Sequence, residues 1–392
     1  MSQLNGINQG SHIFHNIVQT PASPAAPQGV HPSGAAIAGR VVAGILTLGL
    51  SEVIRAVIRH VSADANAPAP RVQTPGIPTA RPEEDLQNSV LAGRIRSGET
   101  LPPACQAALQ EGIITPYTEI LDEGEYQYYA DSGFTPACWI YSKRYGYRTH
   151  GRINVSKAIE VSCNCFFYDV GRQLTITRMN KYCKAFGLGE ATGIELSEKT
   201  GVLAGPAERE AKGETWYDGD TIQAAIGQSD NLFTPLQISN YISTVLSEGT
   251  RMKAHVLYQV RDYHGNVTYE LEPQVVDSIE ISSKNASVVK TAMRSVITEG
   301  SAVRIFVNYP LAIGGKTGTA QVSSNSSDNA IFTAFAPFDD PEIVATCIIE
   351  HGASGTDAGY SVRDLFTSYF NVDYPLNGVT EDTTTGEDGA NE

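Results

Sequence analysis

The 392-residue chain has no surplus of positive charge: 28 Lys and Arg stand against 43 Asp and Glu, a formal charge of −15. A surface that neutralises phosphates needs the opposite balance, so nucleic acid is excluded as a partner. Paired metal-ligand spacings are missing as well. The six cysteines (Cys105, Cys138, Cys163, Cys165, Cys183 and Cys347) form no Cys-x-x-Cys, and no two histidines stand at zincin spacing. That predicts no metal site and no cofactor, with the thiols free and buried. Long apolar runs are absent too. "VVAGILTLGLS" (41–51) is interrupted by Glu52, Arg55 and Arg59, and it is about half of the ~20 residues that cross a bilayer. Val53, Ile54, Val57, Ile58 and Val61 follow at helical spacing, so the expectation over 36–61 is a core or surface helix rather than a span. No Lys or Arg precedes Arg40, so no basic leader segment is read there.

What is present is enough apolar sequence, 41% of residues, for a sizeable core. The Pro-, Ala- and Ser-rich stretches 17–35 and 62–82 read as extended linkers. The acidic, aromatic-free end reads as a disordered tail. The expected organisation is therefore an N-terminal helix with linkers over 1–85, a dense domain over 86–371, and a tail over 372–392.

Inside the dense region, helices are expected over 101–112, over 154–174 with a break near Ser162, and over 234–249 behind a Thr234 cap and Pro235. A hairpin turning at His264–Asn266 and a helix over 284–300 follow. Three strands, in 311–324, 330–338 and 342–350, precede a closing helix over 358–370. Helices, then adjacent strands, then a helix indicate an α+β fold with an antiparallel sheet.

The stretch "GGKTGTAQV" holds the most chemistry. A phosphate loop would require glycine where Pro310 stands and a helix beginning at Lys316, but "TGTAQV" reads as a strand. The alternative is a wall that binds a carboxylate-terminated peptide. Lys316 would supply the cation and Thr317 and Thr319 the hydroxyls. Gly318 would let a peptide lie against the strand, and the Thr319 N–H could form half of an oxyanion hole. Ser162 and Asn164, in "SCN", would add a proton-relaying hydroxyl and a substrate-holding amide.

Six motifs in order carry a resemblance: "ALQEGIITP", "INVSKAIEVSCNCFFYDVG", "FGLGEATGIEL", "AAIGQSDNLFTPLQISNY", "GGKTGTAQV" and "IFTAFAPFDDPEIVATCIIE". From about Leu86 to Phe370 the chain resembles the transpeptidase domain of penicillin-binding proteins, which share Ser-x-x-Lys, Ser-x-Asn and Lys-Thr-Gly elements with serine β-lactamases. The resemblance implies the β-lactamase/transpeptidase-like sheet flanked by helices, and a place in peptidoglycan synthesis and cell shape. It also implies recognition of D-Ala-D-Ala stem peptides or β-lactams, cell-wall synthesis proteins as partners, and the extracytoplasmic side of the envelope. It gives catalytic roles to Ser162, Asn164 and Lys316, and substrate binding to Thr317, Gly318 and Thr319.

Two departures stand out. In the family the attacking serine and its lysine base precede the "ALQEG" helix. Here that place holds Gly98 and Leu101 or, one residue on, Glu99 and Pro102. The only Ser-x-x-Lys, Ser287 to Lys290, falls in a late helix. Residues 1–85 also show no alternating strand pair, so the expected sheet lacks its first strands and leaves 342–350 as an exposed edge. Three readings stay open: a transpeptidase-family domain with impaired catalysis, a non-catalytic scaffold of the cell-wall machinery, or a truncated or frameshifted gene product.

Overall fold

The computed structural model describes residues 103–321, 327–352 and 354–375, and the backbone of three short strands at 13–19, 44–46 and 95–96. Its centre is a five-stranded antiparallel sheet. In chain order the strands are β1 (Ile13–Gln19), β2 (Gly44–Leu46), β3 (Gly314–Ala320), β4 (Asn329–Ala336) and β5 (Ile343–Ile349), and in space they run β3-β4-β5-β1-β2. All eight residues of β4 are buried. A strand covered on both faces needs no polar alternation, which is why "NAIFTAFA" is almost continuously apolar.

The helices that matter for the site are α1 (Pro103–Gln110), α2 (Val155–Val161), α3 (Asn164–Ala185), α4 (Pro235–Leu246), α5 (Ser283–Thr298) and α6 (Gly355–Phe370). Helix α4 begins as its sequence dictates. Thr234 and Gln237 form a reciprocal capping box, and Pro235 occupies the first turn, where it has no hydrogen bond to lose. Two neighbouring residues of β5 show how the sheet is sandwiched. The Thr346 hydroxyl accepts from Ser239 of α4, while Cys347 hydrogen-bonds Ser361 of α6. Adjacent strand residues point to opposite faces, so α4 and α6 cover opposite sides. Helix α5 packs on β3.

The expectation of missing first strands is corrected here. Strand β1 pairs along the whole of β5, from Ile13 opposite Ile349 to Gln19 opposite Ile343, and β2 extends the sheet beyond it. The supposed edge over 342–350 is thus an interior strand. The signal was missed because "IFHNIVQ" does not alternate, as an inner strand need not. The helix expected over 36–61 is corrected at Gly44–Leu46, where a short apolar run has no periodicity to tell strand from helix. The rest of 1–94, the nucleophile positions 98–102 and residues 376–392 lie outside the described residues. Among the described residues no helix is long and apolar enough to cross a membrane.

Candidate active site and an adjoining thiol cluster

The break expected near Ser162 is the joint on which the site is built. Helix α2 stops at Val161, Ser162 adopts a left-handed conformation (φ 55°), and α3 starts at Asn164. A non-glycine residue held there carries strain, which surrounding contacts must offset. The reversal sets Ser162 against β3. The Lys316 ammonium donates to Ser162 Oγ at 2.5 Å and to the Thr317 carbonyl at 2.7 Å, although the two motifs lie 154 residues apart in sequence. Lys316 is 1% exposed. Asn164 is buried at the first turn of α3.

Along β3, residues Thr317 and Thr319 are half-buried, while Lys316, Gly318 and Ala320 are buried. The two threonines therefore share one face and the lysine stem occupies the other. Thr317 Oγ1 and Ser301 Oγ are 2.7 Å apart, and the Gln228 amide donates to the Thr319 carbonyl at 3.4 Å. Behind the strand α6 approaches so closely that a Cβ on Gly355 would fall 2.4 Å from the Gly318 carbonyl oxygen. Gly355 thus sets how closely α6 backs the wall. Ser287 and Lys290 sit elsewhere: Ser287 is exposed on α5, and Lys290 donates to the Asp339 carbonyl between β4 and β5.

A second group of side chains, which the sequence spacing did not reveal, adjoins Ser162. Asp122, Cys138, His150 and Cys163 bring one donor atom each to within 4.8 Å of one another. Asp122 Oδ2 lies 2.6 Å from His150 Nδ1 and accepts from the Cys163 thiol at 3.3 Å. Cys138 Sγ is 3.5 Å from His150 Nδ1 and 3.9 Å from Cys163 Sγ. Burial opposes charge on His150, but Asp122 and Cys138 outweigh it and raise the imidazole to about 9. Burial likewise pushes Asp122 up, yet the His150 bond and N–H donors from Gly124 and His150 leave it below the usual carboxylate range. Contact with the Cys163 and Cys165 sulfurs draws Cys138 toward the thiolate and pushes the other two thiols up.

One carboxylate, one imidazole and two thiols are a donor set suited to a tetrahedral, borderline-soft divalent ion such as zinc. The expectation of no metal site rested on the absence of paired spacings, and these four donors come together without one. All six cysteines are free and buried, but two of them belong to this set. The ligands are scattered over residues 122–163 without a paired spacing, so only the three-dimensional structure assembles them.

Residues 56–368 match the family model for the penicillin-binding protein transpeptidase domain. The chain is similar to the peptidoglycan D,D-transpeptidase MrdA of Escherichia coli K12, with 30% identity over 303 residues, covering 72% of this chain and 47% of that protein. It thus spans about half the length of that relative. Among the solved structures that share its fold are two PBP2 proteins. One is PBP2 of Pseudomonas aeruginosa in complex with WCK 5153: TM-score 0.67, 22% identity, 94% of this chain and 75% of that one. The other is PBP2 of Helicobacter pylori in complex with MreC: TM-score 0.66, 19% identity, 93% of this chain and 61% of that one.

Proposed function

We propose, because this chain belongs to the family of penicillin-binding protein transpeptidase domains, that it holds the D-Ala-D-Ala end of a peptidoglycan stem peptide without forming an acyl-enzyme. The observation that carries the reading is the Lys316–Ser162 contact, which joins the two substrate-holding motifs into one wall. A terminal carboxylate meets a fixed ammonium and the hydroxyls of Thr317 and Thr319, a charge-assisted arrangement about twice as strong as its neutral equivalent. The peptide lies along β3 over Gly318, and Asn164 holds its amide. A β-lactam, whose carboxylate mimics the same end, uses the same wall.

Turnover is a separate matter. Acyl transfer needs a hydroxyl and a base held in attacking geometry, and positioning of that kind supplies much of the rate. The family's place for the pair holds Gly98 and Leu101, or Glu99 and Pro102, and neither register offers a hydroxyl with a lysine amine beside it. The Lys316 amine nitrogen already donates to Ser162 Oγ and to the Thr317 carbonyl, contacts that fix it as part of the wall. The domain, taken as residues 86–371, therefore acts on the extracytoplasmic side of the envelope as a peptide-holding component of the machinery that maintains cell shape. That the Helicobacter pylori PBP2 was solved with MreC supports a protein of the cell-wall machinery as this domain's partner.

Intact-mass measurement after incubation with a labelled penicillin tests the reading. It predicts no covalent adduct, together with reversible binding of a pentapeptide ending in D-Ala-D-Ala. Stoichiometric acylation of any serine overturns it.

A further inference from the structure

The loop between the two halves of the thiol cluster carries charge opposite to the rest of the molecule. Residues 139–152, "WIYSKRYGYRTHGR", contain Lys143, Arg144, Arg148 and Arg152 and no Asp or Glu, in a chain of net charge −15. All four cations are exposed, and among the described residues no carboxylate pairs with any of them. Arg144 lies over the Tyr145 ring, 5.4 Å from its centroid, with its hydrogen-bonding edge uncommitted to any acid.

Aromatic rings alternate with these cations. Trp139 is 39% exposed, and its indole N–H donates to the Val161 carbonyl at 3.0 Å, one residue before Ser162. Tyr145 stands edge-on to it, with centroids 5.2 Å apart. Tyr147 is 58% exposed and is held at φ 54°, a conformation that a bulky residue adopts only under constraint. The constraint is visible. The Tyr145 and Tyr147 N–H groups both donate to the Ser142 carbonyl at 3.0 Å, and Gly146 closes the turn in the left-handed region. Cys138 and His150 pin the two ends of the loop. The surface is thus preformed, cationic, aromatic and continuous with the Ser162 side of the site.

We infer that this loop binds the glycan-borne stem peptide of an uncross-linked peptidoglycan strand, at a place separate from the D-Ala-D-Ala wall. Such a strand offers the two chemistries that the loop matches. Its sugars present C–H faces to exposed rings, and its stem peptides carry free carboxylates for guanidinium groups. The negative field of the remaining surface disfavours an anionic bilayer, which would meet the molecule over a far wider area than this loop. The inference rests on the proposed function for the identity of the polymer, but on different residues for the contact.

The test uses a disaccharide–tripeptide that lacks D-Ala-D-Ala. The chain has two tryptophans, so Trp216→Phe leaves Trp139 as the sole tryptophan, read by selective excitation. Titration should change its emission saturably. Arg144→Glu with Arg148→Glu, both exposed positions, should weaken binding about tenfold with an unchanged circular dichroism spectrum. The full wild-type chain, followed by calorimetry, gives the same comparison if Trp216→Phe fails to fold. Absence of binding, unchanged affinity in the double variant, or equal binding of the uncharged disaccharide overturns the inference. So does equal binding of vesicles rich in anionic lipid, which assigns the loop to a membrane. A pentapeptide ending in D-Ala-D-Ala, titrated in parallel, reports on the Lys316 wall. If it binds while the tripeptide compound does not, the loop inference fails and the functional reading stands; if it does not bind, the functional reading fails.

Discussion

Replacing Lys316 by Met keeps most of the buried stem and removes the charge that the site presents to a substrate. Lys316 is 1% exposed, with its ammonium fixed by Ser162 Oγ at 2.5 Å and the Thr317 carbonyl at 2.7 Å. A carboxylate arriving there gains one charge-assisted contact, worth about 2–3 kcal/mol net. Its loss corresponds to roughly a 30- to 150-fold rise in Kd. Folding should change less, because Met removes the cost of burying a cation while leaving two acceptors without this donor. The assay is fluorescence anisotropy with two labelled pentapeptides, one ending in free D-Ala-D-Ala and one with that end amidated. Wild type should prefer the free acid by the factor above, and Lys316→Met should bind both alike. The comparison is a double-mutant cycle across one contact. If Lys316→Met keeps the preference for the free acid, the carboxylate is held elsewhere and the wall has been misassigned.

Three further outcomes follow from the same geometry. Gly355→Ala places a methyl group 2.4 Å from the Gly318 carbonyl oxygen; it should cost about 1–3 kcal/mol of stability and weaken pentapeptide binding, read by thermal melts and the anisotropy assay. Zinc should raise the melting temperature of chelator-treated protein, and Cys163→Ser or Asp122→Asn should abolish the rise, because each removes a donor from the cluster. In metal-free protein the Asp122–His150 pair makes stability depend on pH from both sides. His150 is raised to about 9, so its contribution is complete below its unfolded value of about 6.5 and is lost as pH climbs through about 9. Asp122 is depressed, so its contribution is present above about 3.9 and is lost as pH falls through its lower folded value. Melts between these limits should be highest, and Asp122→Asn should flatten the alkaline decline.

The parts of the fold legible in the sequence were those where one local rule acts alone. Thr234–Pro235 announces a helix start, and the structure places α4 there with its capping box. The β3–β5 strands and the closing helix were readable because turn residues separate apolar runs of strand length. The break at Ser162 was visible as polar residues inside a helical pattern, but its left-handed geometry was not. Strand β1 escaped notice because an inner strand owes its place to the β5 edge it completes, not to any alternation of its own. The thiol cluster was illegible for a related reason. Four ligands from a ribbon (120–122 with 151–153), a loop and a helix boundary converge only when the ribbon closes. Lys316 and Ser162 were matched to family motifs from sequence, whereas the distance between them is a property of the folded chain.

Covalent chemistry gives the most direct test of the central claim. Incubating the full chain with excess labelled penicillin and measuring intact mass, with pentapeptide anisotropy on the same sample, separates holding from turnover. The account predicts unmodified protein that binds the D-Ala-D-Ala pentapeptide reversibly, with β-lactam competing for the same wall. A stoichiometric acyl adduct on any serine, or no binding of the pentapeptide, would contradict it.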